Sequence, residues 1–212
     1  MKESFWNKRI PTLLGIILII IGIGVTTILV KQGGLFSIKA SPSQEPRDVR
    51  ISNITDSSFT VSYWTIDDAT GVLNYGDSIN LGQSGLDDRD QQSGNVVNHK
   101  VHNITVRNLN PITKYYFSII SGKDTYANNS NPFEATTGSP IDANPLQQDP
   151  MTGKIILPTG NAPKEAIIYL TTQNAQVIST LVKNDGTYIL PLNSLRAVDL
   201  SSYFKLGQNQ II

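Results

Sequence analysis

The chain has 212 residues, no cysteine and a formal net charge of zero, with 16% charged and 8% aromatic residues. The missing cysteine excludes disulfides, thiolate metal sites and cysteine nucleophiles. The charge is unevenly placed: residues 40–212 carry 12 Lys and Arg against 16 Asp and Glu. A mildly acidic stretch with no basic stripe lacks the footprint that a phosphate backbone demands, which excludes nucleic acid as a partner.

Residues 1–9 hold Lys2, Lys8 and Arg9 against Glu3, and residues 10–30, from Ile10 to Val30, carry no charge. An uncharged helix of about 21 residues, rising 1.5 Å per residue, matches a hydrocarbon core of roughly 30 Å. It is longer than the apolar region of a cleavable signal, about 7 to 15 residues, and Ile38 stands two before Ala40 where such a signal needs a small residue. The expectation is one retained transmembrane helix with the lipid bilayer as its partner, the N-terminus cytoplasmic and the C-terminal part extracytoplasmic. Residues 31–45 mix Gly, Ser and Pro and read as a flexible linker.

From Pro46 onward, short runs of alternating apolar and polar residues stand between turn signals, the pattern of antiparallel strands with one buried face. Val49 and Ile51 mark a first strand. Phe59, Val61 and Tyr63 mark a second whose odd positions face the core, and Leu73 and Tyr75 mark a third between Gly71 and Gly76. Ile104 and Val106 precede a turn; Tyr115, Phe117 and Ile119 share one face of a further strand, and Phe133 and Ala135 open the last. The segment Gly122-Lys123-Asp124-Thr125 reads as a hairpin turn.

Leu109, Pro111, Thr113 and Tyr115 resemble the L-x-P-x-T-x-Y corner of fibronectin type III domains, over residues 46–138. That resemblance implies an all-β sandwich in which the Tyr115 hydroxyl hydrogen-bonds back to the corner backbone. The chain departs from the family in one place: Tyr63 stands where a Trp is usual and Trp64 follows it, so Trp64 points away from the core. It either packs on a neighbouring loop or contacts a partner. Residues 71–76 also resemble the domain that precedes the catalytic domain of purple acid phosphatases, a likeness that carries no activity.

Chemistry is sparse. His99 and His102, the chain's two histidines, are spaced i, i+3 on an expected strand and should face opposite ways, with His99 solvated and His102 at a sheet end. Residues 77–94 read as a long polar loop in which Asp87, Asp88 and Asp90 cluster. That cluster is a solvated acidic loop or a calcium site, although its spacing matches no established calcium loop. No cofactor and no catalytic residue is expected. Trp64 with Asp87, Asp88 and Asp90 is the candidate binding surface.

Residues 139–150 place Pro at intervals and read as an extended spacer. Beyond them, strand-like runs occur at 154–157, 166–170, 177–182 and 187–190. Gly153-Lys154-Ile155 with Asp185-Gly186-Thr187-Tyr188 resembles the prealbumin-like, carboxypeptidase-regulatory-like β-sandwich, over residues 151–212. Related sandwiches continue with further strands, so the expectation is a truncated domain. The whole then reads as a non-catalytic, membrane-anchored cell-surface protein displaying β-sandwiches for protein or glycan binding. The alternative is a stalk presenting a domain encoded beyond residue 212.

Overall fold

The computed structural model of the chain describes residues 42–207. The expected transmembrane helix over residues 10–30, the flank at 1–9 and most of the linker at 31–45 lie outside them. Among the described residues no helix is long and apolar enough to cross a membrane.

Alternating side chains build two antiparallel sheets. One contains β1 (Arg47–Ser52), β2 (Ser58–Ala69) and β5 (His99–Arg107), in the order β1-β2-β5. The other contains β3 (Gly71–Gly76), β4 (Gln83–Leu86), β6 (Lys114–Ser121), β7 (Asp124–Tyr126) and β8 (Phe133–Thr136). Its order is β4-β3-β6-β7, with β8 also paired to β6. Phe59, Val61 and Tyr63 point inward from β2, as their parity predicts, and meet Leu73, Ile104, Phe117 and Ile119 in one buried β-sandwich core. Burying each large apolar side chain contributes about 1.5 to 3 kcal/mol, which makes this core the main source of stability. Gly122, at φ 63°, turns β6 into β7 so that Ser121 pairs with Asp124.

At the corner between β5 and β6 the Asn110 N–H donates to the Tyr115 hydroxyl at 2.8 Å, and the Thr113 hydroxyl donates to the Pro111 carbonyl at 2.8 Å. Leu109 is buried beneath them. Ile112 sits between at φ 51°, a conformation that β-branched residues avoid, and its N–H donates to the Gly138 carbonyl. The hydrogen bonds around it hold that strained backbone in place.

The second module holds β9 (Met151–Lys154), β10 (Ile167–Thr172), β11 (Ala175–Leu181) and β12 (Thr187–Leu190). These pair as two two-stranded sheets, β10 with β11 and β12 with β9. The strand expected at 154–157 instead ends at Lys154, because the next amides turn elsewhere: Ile155 N–H donates to Gly186 and Leu157 N–H to Asn161. The core is small, with Ala175, Ile178, Leu190, Leu192 and Leu195 buried. Two-stranded sheets with so little apolar burial are marginal alone.

The second module therefore leans on the first. The outward face of β1 and β2, polar and expected to meet water, is partly covered by β10 and β11. The hydroxyls of Ser52 and Ser179 share a hydrogen bond at 2.7 Å, as do those of Ser62 and Tyr169. Asn53 donates its backbone N–H to Val177, and its side-chain carbonyl accepts the Ser179 N–H. Gln176 bonds both the N–H and the C=O of Ile54, and buried Arg196 donates to Asp56 at 2.7 Å and to the Ser139 carbonyl. Residues 139–150, expected as a Pro-rich spacer, have no helix or strand and bond to the second module. Leu146 donates to Asn193, and the Gln148 side chain bonds Leu192, Phe204 and Leu206 backbone groups, stitching the segment along the second module.

Tyr115→Phe deletes the acceptor for the Asn110 N–H without changing packing. It is expected to cost about 1 to 2 kcal/mol, read as a lower urea midpoint at unchanged m-value.

Candidate binding surface

Strand β5 is an edge of its sheet, so every second backbone N–H faces away from β2 and needs a partner. Three carboxylates supply them. Glu165 accepts from Val101 N–H at 3.1 Å and also from Lys100 N–H at 2.8 Å, Asp87 accepts from Asn103 N–H at 3.1 Å, and Asp88 accepts from Thr105 N–H at 3.1 Å. Asp88 also takes the Asn103 side-chain amide and the Thr105 hydroxyl, each at 2.7 Å. Arg89 completes the edge by donating to the Val101 carbonyl.

This corrects the reading of the acidic cluster. Residues 77–94 are not one loop: they contain β4 and a short helix, α1 (Asp88–Ser93), capped by Asp87. Asp87 is 0% exposed and Asp90 is 2% exposed, so neither belongs to an exposed binding surface. Burial acts to raise the Asp87 carboxyl. His102 at 3.6 Å, the Arg89 guanidinium at 2.8 Å and the Asn103 amide outweigh it and hold that carboxyl well below the usual carboxylate range. Among the described residues no group of three or more His, Asp or Glu side chains is arranged to hold a metal ion.

The histidines differ from expectation too. Although they were expected to face opposite ways, the two rings lie 6.2 Å apart, edge to face. His102 is 0% exposed and stacks on Tyr63 at 4.5 Å, in space left by Gly71, where a Cβ would stand 2.3 Å from the His102 ring. His99 is mostly buried rather than solvated; its Nδ1 meets Glu165 at 2.9 Å, and its Nε2 lies 3.6 Å from Asp90.

Glu165 was not foreseen from sequence. It stands in the segment before β10, in the second module, yet its oxygens serve β5, His99 and Arg89 of the first. Burial raises its carboxyl, but the Lys100 N–H, His99, the Val101 N–H and Arg89 together hold it below its ordinary value. By reaching across, it brings Leu157, Pro163 and Lys164 beside Trp64, Ile66, Lys100 and Val101. These residues line a groove of about 720 Å³. Trp64 is 42% exposed and points outward as its parity predicts, with the Arg47 guanidinium 5.4 Å over its ring. The structure thus separates the candidates: Trp64 lines a groove, Asp87 and Asp88 secure a sheet edge, and buried Asp90 accepts the Val97 N–H.

A scan against protein-family models matches none to this chain, and a search of curated proteins finds no relative. Among solved structures the chain is similar to the sensor domain of the anti-sigma factor RsgI4 of Pseudobacteroides cellulosolvens, at 16% identity over 48% of this chain and 99% of that one, with a TM-score of 0.30. It is similar to a redesigned β-sandwich protein at 21% identity over 44% and 94%, with a TM-score of 0.26. It is also similar to a fibronectin type III domain of human collagen alpha-1(XX) at 18% identity over 53% and 100%, with a TM-score of 0.31. The sandwich assignment rests on strand order and core.

Asp87 and Glu165 both have folded pKa values below the unfolded ones, about 4. Their contribution is present above that pH and is lost as pH falls through the folded values, so the urea midpoint is expected to drop between about pH 5 and pH 3. In Asp87→Asn part of that slope disappears; an unchanged slope would remove Asp87 from this role. Asp87→Ala leaves the Asn103 amide without its acceptor and removes one of Arg89's two carboxylate partners, and is expected to cost about 1 to 3 kcal/mol, measured by urea unfolding at neutral pH. Glu165→Ala is expected to speed hydrogen exchange at the Lys100 and Val101 amides by about tenfold or more, while the amides of Phe117 and Ile119 stay protected.

Proposed function

We propose that this chain is a non-catalytic, membrane-anchored cell-surface protein. Residues 10–30 hold the bilayer, and the β modules bind a protein or a glycan through the groove at Trp64. The observation that carries this reading is the groove itself. Trp64, Ile66 and Leu157 are exposed side by side in a concave surface walled by both modules. Contiguous exposed apolar surface is characteristic of interaction sites, and tryptophan is over-represented among the residues that dominate binding.

The chain's two histidines are committed to the scaffold, His99 to Glu165 and His102 to its stack on Tyr63, which favours a binding role over acid–base chemistry. A stalk that presents a further domain beyond residue 212 is the second reading. It is favoured by the bonds of Asn53 and Arg196 across the two modules, which suit a stiff spacer.

Protease added to intact cells that make the full chain is expected to cut within residues 46–207 and to leave the fragment containing residues 10–30 in the membrane fraction. A chain that stays whole until the cells are lysed would overturn the proposed topology.

A further inference from the structure

The groove's polar chemistry discriminates between a glycan and a protein. Sugar hydroxyls need donors and acceptors converging from the wall. The Thr65 hydroxyl donates to the Asp67 carbonyl at 2.7 Å, within its own strand. Both Glu165 oxygens are taken up by the β5 amides, His99 and Arg89. What remains is the pair of ammonium groups of Lys100 and Lys164, which can only donate. No salt bridge among the described residues involves either of them. Two lysines line the groove against the one carboxylate of Glu165, and Arg47 lies over Trp64, so the lining carries a positive excess on a stretch of chain that is net acidic. Its walls are otherwise apolar, and about 720 Å³ exceeds what one small side chain fills.

We infer that the groove takes an acidic, apolar protein segment. Aliphatic or aromatic side chains seat among Trp64, Ile66, Leu157 and Pro163, and flanking carboxylates meet Lys100 and Lys164. This rests on the reading of the groove as a binding surface and names its partner. Carboxylates balance the two positive charges that a neutral glycan leaves uncompensated, and the apolar side chains cover the exposed tryptophan.

The test uses the full chain held in lipid nanodiscs and three probes: a short fluorescein-labelled peptide alternating Asp with Leu and Phe, its counterpart with Lys in place of Asp, and cellohexaose. The acidic peptide is expected to raise fluorescence anisotropy on binding, and the basic one to leave it unchanged. The double reversal Lys100→Glu, Lys164→Glu is expected to weaken the acidic peptide by about tenfold, and Trp64→Ala by about as much again. All of these positions lie at the groove surface, and far-UV circular dichroism checks that the variants fold. Equal binding of the basic peptide, indifference to charge reversal, or no binding at about 1 mM would overturn the inference. Binding of cellohexaose in place of the peptide would assign the groove to a glycan, overturning the protein partner while leaving the surface reading intact. Loss of protease access on intact cells would overturn the membrane topology and leave the peptide affinity unchanged.

Discussion

The unpaired edge of β5 is the constraint on which the arrangement depends. An edge strand presents a row of donors and acceptors that must find water, another chain or a side chain. Here Val101, Asn103 and Thr105 turn their N–H groups outward, and Glu165, Asp87 and Asp88 receive them. A carboxylate that accepts backbone hydrogen bonds forms charge-assisted contacts about twice as strong as neutral ones. Side chains thus do what a neighbouring strand would otherwise do, and they block edge-to-edge pairing because no second strand fits past them.

One of those carboxylates comes from elsewhere, and this joins the two modules. Asp87 and Asp88 are local, placed by the start of α1, whereas Glu165 belongs to the segment before β10. The same docking covers the polar face of β1 and β2, where serine and asparagine side chains meet Ser179, Gln176 and Tyr169. An interface of this kind gives little hydrophobic stabilisation. Its worth lies in leaving few buried donors unmatched, so it is sensitive to the loss of any one partner. The small core of the second module makes that dependence stronger.

What was legible in the sequence were the features that depend on local spacing. The inward set Phe59, Val61 and Tyr63, the outward Trp64 and the segment around Tyr115 follow from a period of two and a short motif. What was not legible depends on sheet order. Nothing in the spacing of Asp87, Asp88 and Asp90 tells a solvated loop from an edge cap, because the difference lies in which strand has no neighbour. Glu165 is harder still, since it acts about sixty residues from its partners in the chain. The histidines misled for another reason: their partners, Tyr63 and Gly71 for His102 and Glu165 for His99, come from other strands and from the second module, which spacing along β5 does not reveal.

An apolar groove lies beside this otherwise polar seam, at the point where the β2–β5 register shifts. Up to Ser62 the outward face of β2 is hydroxylic, and β10 and β11 close over it with matching hydroxyls. At Trp64 and Ile66 the outward residues are apolar and the strand leaves its regular pairing, so the hydroxyl pattern that seats β10 no longer applies. The second module lines this region with Leu157, Pro163, Lys164 and Glu165, the last bonded to β5. Without Glu165 the β5 amides it serves would be left unmatched, at a cost of about 1 to 3 kcal/mol for each buried group. The edge that needs capping and the groove beside it thus share one residue, Glu165, which bonds β5 and lines the groove.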